Sequence, residues 1–365
     1  MHAQAPISRV ETAAYRIPTE TPEADGTFDW DATTLVLVQL EAAGRHGLGY
    51  TYNTAATAAL IRGVFAGVLQ GLDAFDIPRA QQLMQAQVRN IGRSGIAATA
   101  IAAVDVALWD LKAKLLGQPL AALLGQARAR VPVYGSGGFT NYDDAKLARQ
   151  LAGWVEREGC RWVKMKVGRD RARDPHRIRA ARAAIGTSEL FIDANGALGC
   201  ETALQLASVS SAQGVTWFEE PVSSDDLPGL RQVRDRSPPG LEIAAGEYSY
   251  NFDDVRRMLA AGAVDVQQVD ATRCLGITGF LAAGVLCEAH HIDLSAHCAP
   301  SLHTHVGCAV QRVRHLEYFF DHVRIEQMFF DGAACAHDGA VTPDMSRPGL
   351  GLELKAADAE RYRVA

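Results

Sequence analysis

The chain has 365 residues, of which 48% are hydrophobic, and it carries 36 lysines and arginines against 42 aspartates and glutamates, a net charge of −6. This length accommodates one barrel of about 250 residues and a smaller second domain. Because both charge signs are scattered along the chain, the composition excludes a nucleic-acid surface or an anionic-membrane surface as its main feature. No apolar run is long enough to span a bilayer, and no basic region precedes an apolar one at the N-terminus, so we predict a cytoplasmic protein.

The seven cysteines are an odd number, are dispersed through the chain and form no Cys-x-x-Cys pair. This distribution predicts reduced, structural thiols instead of a disulfide framework. Cys298 directly follows His297, but adjacency in sequence does not by itself predict a zinc site.

The first 125 residues predict a small α+β domain. β-Branched residues favour strands at 7–17 and 33–41. A polar stretch at 18–31 and a glycine- and tyrosine-rich stretch at 47–54 are predicted loops, either binding lids or ordinary surface connections. Residues 55–124 have helical spacing, most regular over 97–116, and within this stretch Asp105 and Asp110 are predicted to form caps or salt bridges.

Residues 126–328 predict a barrel in which strands alternate with helices, and the turn-rich tail, 329–365, is predicted to pack back on the N-terminal domain. The predicted strands begin at Val131 and continue at Trp162–Val167, Leu190–Asp193, Val215–Glu219, Glu242–Glu247, Val264–Asp270, Asp293–His297 and His315–Tyr318.

Acidic residues end three consecutive predicted strands, Asp193, Glu219 and Glu247, at a spacing of roughly 25 to 30 residues. The carboxyl ends of barrel strands meet in one mouth, so these side chains can converge. Three carboxylates together repel one another unless a cation joins them. Oxygen ligands favour Mg²⁺, with Mn²⁺ as a substitute.

Two lysines, a histidine–aspartate pair and a fourth acid complete the predicted mouth of the barrel. Lys164 and Lys166 alternate within one strand and therefore face the same side. Lys166 can act as a base if nearby cations lower its pKa. His297 and Asp270 end neighbouring strands, so the carboxylate can orient the imidazole as a second base, and Glu317 ends the eighth strand.

These groups suit removal of a weakly acidic α-proton from a carboxylate substrate to give an enediolate. Reprotonation of the enediolate would give a racemase or epimerase. Loss of a β-hydroxyl, with His297 as the acid, would give a dehydratase.

The chain resembles the mandelate racemase subgroup of the enolase superfamily over nearly its whole length. The resemblance rests on segments 103–112, Lys164-Met-Lys166-Val-Gly, Ile192-Asp193-Ala-Asn195-Gly, Phe218-Glu219-Glu-Pro and Ala245-Gly-Glu247. It implies a (β/α)7β modified TIM barrel under an α+β capping domain built from both chain ends.

The resemblance also implies roles for individual residues. Asp193, Glu219 and Glu247 would hold Mg²⁺, Lys166 and the His297–Asp270 pair would be the two bases, and Lys164 and Glu317 would contact the substrate carboxylate and the intermediate. Asn195, Ser136 and Tyr50 are predicted substrate contacts. The segments 18–31 and 47–54 would set specificity, and relatives imply an even-numbered homo-oligomer.

The resemblance narrows the reaction. Asp270 occupies the position where other branches of the superfamily carry a lysine, which disfavours muconate cycloisomerization and dipeptide epimerization. The polar, acidic stretch 18–31 favours a polyhydroxylated acid. We therefore predict dehydration of an aldonate or aldarate to a 2-keto-3-deoxy acid. The alternatives are a 2-hydroxy-acid racemase or epimerase, a sugar-lactone cycloisomerase and, more remotely, a non-catalytic sugar-acid binding protein.

Overall fold

The structure, a computed structural model, describes residues 4–365. Residues 1–3 of the predicted N-terminal domain lie outside the described residues. The strands are β1 Ile7–Ala24, β2 Asp29–Ala42, β3 Arg45–Tyr52, β4 Val131–Gly137, β5 Trp162–Lys166, β6 Glu189–Asp193, β7 Val215–Glu219, β8 Glu242–Ala245, β9 Val266–Val269, β10 Asp293–Ala296, β11 Val313–Phe319, β12 Phe330–Asp331, β13 Ala340–Val341 and β14 Glu353–Leu354.

The helices are α1 Ala55–Leu60, α2 Ala66–Leu69, α3 Ile77–Gln87, α4 Ile96–Leu115, α5 Leu120–Leu124, α6 Asp144–Glu156, α7 Asp174–Ala184, α8 Cys200–Ser211, α9 Leu227–Arg236, α10 Phe252–Ala261, α11 Gly276–Ala289, α12 Pro300–Ala309, α13 Phe320–Phe329 and α14 Ala356–Glu360, with a π-helical turn at Ile61–Phe65 between α1 and α2. No helix within residues 4–365 is both long and apolar enough to cross a membrane.

The N-terminal sheet is a meander in which β2 pairs antiparallel with β1 and β3. The predicted loop 18–31 is wrong as a loop, because β1 continues to Ala24 and β2 starts at Asp29. The two strands form one long hairpin whose turn occupies residues 25–28. A register shift between Pro18 and Glu23 accommodates the prolines that suggested a loop, since a bulge tolerates a residue without an N–H.

The second predicted loop, 47–54, is also wrong, because residues 45–52 form β3. Its glycines allow the strand to approach α4 closely. A Cβ atom built on Gly49 would lie 2.1 Å from the Ala103 carbonyl oxygen, and one on Gly47 would lie 2.3 Å from the Ala107 carbonyl oxygen. These glycines therefore serve packing between the sheet and α4, and not a mobile lid.

We expect Gly49→Ala to destabilise the protein by about 1–3 kcal/mol, because the new methyl group overlaps the backbone of α4. The measurement is the free energy of unfolding in urea. Gly67→Ala is the matched control, since nothing lies within 4 Å of its Cβ position in α2, and it should keep or slightly raise that free energy. Equal stability of both variants would contradict the close approach of β3 and α4.

In the described part of the chain, β4 to β11 form a closed barrel of eight parallel strands, with β11 pairing back to β4. Helices α6 to α12 connect successive strands, and α13 follows the last. The predicted (β/α)7β barrel and capping domain are therefore confirmed. An aromatic cluster that includes Tyr134, Phe191 and Trp217 packs inside the barrel.

The C-terminal tail is bonded both to the N-terminal sheet and to the barrel. The Val364 amide donates to the Ala14 carbonyl oxygen, and β13 pairs with β4. Within α4, Asp110 forms the expected salt bridge with Lys114 and also accepts hydrogen bonds from the amides of Leu48 and Leu350. These contacts join α4 to β3 and to the tail.

Asp105 joins α4 to the barrel. Its carboxylate accepts hydrogen bonds from the Gln81 side chain and from Thr278 at the start of α11. Burial raises the pKa of Asp105 to about 6. The position of this acid is explained by its contacts between domains, without a role in chemistry.

Candidate active site

The predicted metal ligands converge at the mouth of the barrel. Asp193 ends β6, Glu219 ends β7, and Glu247 lies two residues after β8. One carboxylate oxygen from each lies within 4.8 Å of the others, and all three side chains are buried. The parallel barrel produces this convergence, because the carboxyl ends of its strands share one rim.

Lys164 lies at the centre of the acidic groups and is fully buried. Its Nζ is 2.5 Å from Glu219 Oε1, 2.8 Å from Glu317 Oε1 and 3.2 Å from Asp193 Oδ2. Burial and the neighbouring Asp193 carboxylate nevertheless raise the pKa of Glu219 to about 8. Lys164 and its neighbour Lys166 therefore do not balance the charge of this cluster, and a divalent cation would.

Lys166 faces the same mouth one pleat further along β5. Its Nζ donates to Asp193 Oδ2 at 2.6 Å. Burial alone would lower the pKa of Lys166, but the Asp193 carboxylate raises it above its ordinary value. The lowered pKa expected for a base is therefore not present while Asp193 is paired with this lysine.

His297 and Asp270 form the predicted pair, with His297 Nδ1 2.8 Å from Asp270 Oδ2. This contact places Nε2 toward the mouth, 3.3 Å from Glu247 Oε2 and 3.6 Å from Glu317 Oε2. Burial alone would lower the pKa of His297, but Cys298, Glu247 and Glu317 surround the ring and raise it. The ring is thus held in its protonated form, the form that a proton donor needs.

The three predicted substrate contacts have different surroundings. Asn195 follows Asp193 in a left-handed conformation (φ 47°), and its buried Oδ1 has no hydrogen-bond partner within residues 4–365. The Ser136 hydroxyl donates to Glu317 Oε1 at 2.6 Å, and the Tyr50 hydroxyl donates to Glu326 Oε1 at 2.9 Å. Ser136 and Tyr50 are fully buried, and each hydroxyl is engaged by a glutamate, so their roles as substrate contacts stay predictions.

Sequence analysis missed Arg273 and Glu23. Arg273 Nη1 is 3.2 Å from Glu247 Oε1, and its Nε is 3.6 Å from Asp270 Oδ2. The sequence feature that could have indicated Arg273 is its position three residues after Asp270, in the loop between β9 and α11. Glu23 is buried in the β1–β2 hairpin, where it accepts a hydrogen bond from Trp30 Nε1, and burial raises its pKa to about 8. No local pattern marks Glu23, because its burial depends on the barrel beneath the hairpin.

The hairpin covers part of the mouth. A Cβ atom on Gly26 would lie 2.4 Å from the Ala194 carbonyl oxygen and 2.8 Å from that of Val167, so the turn rests directly on the ends of β6 and β5. The Thr140 amide and hydroxyl both donate to the Ala24 carbonyl oxygen and fasten the hairpin to the loop after β4. The segment 18–31 is thus a roof made of paired strands.

The carboxylate cluster fits Mg²⁺ on its own geometry. All donors are hard carboxylate oxygens, which Mg²⁺ prefers. The buried Glu247 Oε2 accepts no hydrogen bond in the described part of the chain and has only His297 Nε2, 3.3 Å away, as an ionic neighbour. An acceptor left in this state is unfavourable unless something binds it.

Comparison with known proteins agrees with this arrangement. Residues 10–125 match the family described as "Mandelate racemase / muconate lactonizing enzyme, N-terminal domain", and residues 146–359 match "Enolase C-terminal domain-like". A 3,6-anhydro-alpha-L-galactonate cycloisomerase of Streptomyces coelicolor is 35% identical, covering 95% of this chain and 97% of the relative.

Two further proteins extend the comparison. The L-talarate/galactarate dehydratase of Salmonella typhimurium is 33% identical over 95% of this chain and 89% of the relative. Its structure with Mg and L-lyxarohydroxamate has a TM-score of 0.92 at 28% identity, covering 100% of this chain and 94% of that one. A mandelate racemase/muconate lactonizing enzyme-like protein from Rubrobacter xylanophilus has a TM-score of 0.96 at 49% identity, covering 98% and 100%. The chain is a member of the mandelate racemase/muconate lactonizing enzyme family of the enolase superfamily.

Proposed function

We propose that this protein is a Mg²⁺-dependent dehydratase of an acid sugar, an aldonate or aldarate, and releases a 2-keto-3-deoxy acid. The observation that supports this most directly is the placement of two candidate proton-transfer groups, Lys166 and His297, around one buried carboxylate cluster. Such a site combines acid, base and anion stabilisation within one pocket.

Asp193, Glu219 and Glu247 would hold the metal. When bound, Mg²⁺ supplies Lewis-acid stabilisation of the negative charge that develops on the substrate carboxylate. Lys164 adds a fixed positive charge, because Glu317, itself held by Ser136, keeps its ammonium group in place. When Asp193 binds the metal, its carboxylate attracts the Lys166 ammonium group less strongly. The pKa of Lys166 then falls toward the range of a base.

The proposed reaction needs two proton transfers. Lys166 removes the α-proton, and the C–H electron pair forms the C=C bond of an enediolate. His297 donates its Nε2 proton to the β-hydroxyl, which leaves as water, while Asp270 holds the other ring nitrogen. The resulting enol tautomerises to the 2-keto acid. Asn195 Oδ1 is available for a substrate hydroxyl.

The hairpin supports a polyhydroxylated substrate. It brings the buried Glu23 carboxyl to the roof, and burial raises the pKa of this group to about 8, so at neutral pH it is predominantly protonated. Its Oε1 has no hydrogen-bond partner among the described residues. A protonated carboxyl both donates and accepts hydrogen bonds, which suits hydroxyl groups better than an aromatic ring.

A lactone cycloisomerase is the second candidate, favoured by the 35% identical cycloisomerase. A 2-hydroxy-acid racemase or epimerase would use the same bases. These reactions share the first proton transfer with dehydration and keep every atom of the substrate, so they differ in product and not in the required residues.

The test is a screen of purified enzyme with Mg²⁺ against aldonates, aldarates, their lactones and mandelate in D₂O. A 2-keto product trapped by semicarbazide supports dehydration and names the acid. Deuterium at the α-carbon without a keto product supports racemization, epimerization or cycloisomerization instead. Ligand binding without exchange or product, in a protein loaded with Mg²⁺, would leave only the non-catalytic binding protein.

A further inference from the structure

A second set of metal-type ligands lies beside the carboxylate cluster, at the ends of β10 and β11. His297 Nε2 is 3.3 Å from Cys298 Sγ, Cys298 Sγ is 3.4 Å from Glu317 Oε2, and Glu317 Oε2 is 3.6 Å from His297 Nε2. All three side chains are buried. An imidazole nitrogen, a thiolate sulfur and a carboxylate oxygen are the protein ligands of Zn²⁺.

The triangle also has the dimensions of a zinc site. With bonds of about 2.0–2.2 Å to nitrogen and oxygen and about 2.3 Å to sulfur, tetrahedral ligands lie roughly 3.4–3.6 Å apart. Each of the three observed separations agrees with the tetrahedral value for its pair of atoms to within about 0.3 Å. One face of a tetrahedron is therefore already formed by the protein.

The backbone explains why two consecutive residues share this face. Neighbouring side chains on a strand point to opposite sides, but β10 ends at Ala296, and Cys298 and Ala299 are both left-handed, with φ of 53° and 40°. This turn brings Cys298 Sγ back to His297 Nε2. Asp270 accepts from Nδ1 at 2.8 Å, which is the arrangement that orients a zinc-binding histidine through its other nitrogen.

We propose that His297, Cys298 and Glu317 form an inhibitory site for a thiophilic divalent ion, of which Zn²⁺ is the best fit. Binding releases two protons to solvent, the thiol proton of Cys298 and the Nε2 proton of His297, so that both atoms can bind the ion. The proposed dehydration gives Cys298 no role, so this site goes beyond that function. Only the inhibition rests on the proposed function, whereas binding of the ion does not.

The test is a titration of the Mg²⁺-saturated protein with Co²⁺, which reports thiolate ligation by a charge-transfer absorption. The Cys335→Ser background removes an exposed thiol that could bind the ion. We expect one equivalent of Co²⁺ to produce the band and Zn²⁺ to abolish it. Cys298→Ser should lose the band, and Cys287→Ser, which removes a buried thiol from α11, should keep it.

Two further measurements separate a specific site from a structural effect. Asp270→Asn should lower the Co²⁺ affinity by about 10- to 100-fold while keeping the band, because it removes only the group that orients the imidazole. X-ray absorption of the unmutated Zn²⁺-bound protein should show one sulfur at about 2.3 Å, and this needs no variant to fold. Absence of that sulfur, or a band that persists in Cys298→Ser, would overturn the proposal.

Inhibition is measured last, relative to each variant's own rate without Zn²⁺. In saturating Mg²⁺, Cys298→Ser should need at least tenfold more Zn²⁺ than Cys287→Ser for half-inhibition. Equal sensitivity of the two variants would contradict an inhibitory role. If no acid in the screen reacts but the cobalt band appears and depends on Cys298, the ion site stands and the proposed reaction fails.

Discussion

Glu219→Gln should nearly abolish Mg²⁺-dependent turnover, with a fall of about 10³-fold or more in kcat/KM. The substitution removes one anionic ligand from the centre of the cluster, where Glu219 also accepts hydrogen bonds from Lys164 and from Trp217 Nε1. Losing about 4 kcal/mol of charge stabilisation in the transition state corresponds to a fall of this size. The measurement pairs steady-state kinetics with the Mg²⁺ affinity from calorimetry.

The fold should survive this change. Lys164 keeps Glu317 and Asp193 as partners, and glutamine has nearly the shape of glutamate. Glu242→Gln is the matched control, because Glu242 starts β8 at the opposite end of the barrel, where it pairs with Arg314. That variant should retain both Mg²⁺ affinity and rate. A Glu219→Gln enzyme that keeps wild-type metal affinity and turnover would sink the assignment of this ligand.

His297→Asn should lower dehydration by about 10²- to 10⁴-fold, the usual contribution of general acid–base catalysis. The change removes the imidazole that faces Glu247 and Glu317 just after the end of β10. Asparagine keeps a polar group near Asp270. If Lys166 takes the α-proton, exchange of that proton with D₂O should persist although product no longer forms. Lys166→Ala should stop both.

The comparison of exchange with product formation is what makes these variants informative. His290→Asn is the matched control, since His290 is exposed after α11 and should leave both rates unchanged. If His297→Asn forms product at the wild-type rate, His297 is not the acid. If it loses exchange as well, His297 and not Lys166 removes the proton from that stereoisomer.

The barrel and its acidic rim were predictable because they depend on local patterns. Hydrophobic strands recur at the spacing of one strand and one helix, and each of these strands ends in a polar residue. This pattern alone predicts that Asp193, Glu219 and Glu247 lie on one rim. Alternation within β5 likewise placed Lys164 and Lys166 on one side. The structure brings all of these side chains together.

The remaining features depend on contacts between distant segments. Gly49 looked like a loop residue, because its partner, α4, lies some fifty residues away in sequence. Prolines and acids in 18–31 suggested a loop, although a bulge admits them into a hairpin. Cys298 meets Glu317 only because β10 and β11 are adjacent, which no spacing between the two residues reveals. The expected cytoplasmic location, homo-oligomer and absence of other partners stay predictions.

We expect the hairpin over the mouth to govern which substrate binds, and the rim beneath it to carry out the chemistry. Its turn lies against the main-chain oxygens of Ala194 and Val167. The carboxyl group of Glu23 accepts a hydrogen bond from Trp30 of the same hairpin. The acids and bases of the rim belong to other elements. We therefore expect mutations in residues 18–31 to change the space for the far end of a substrate while the proton-transfer groups keep their own supports. On this expectation, a lineage with this architecture acquires new substrates through one surface hairpin and leaves its reaction intact.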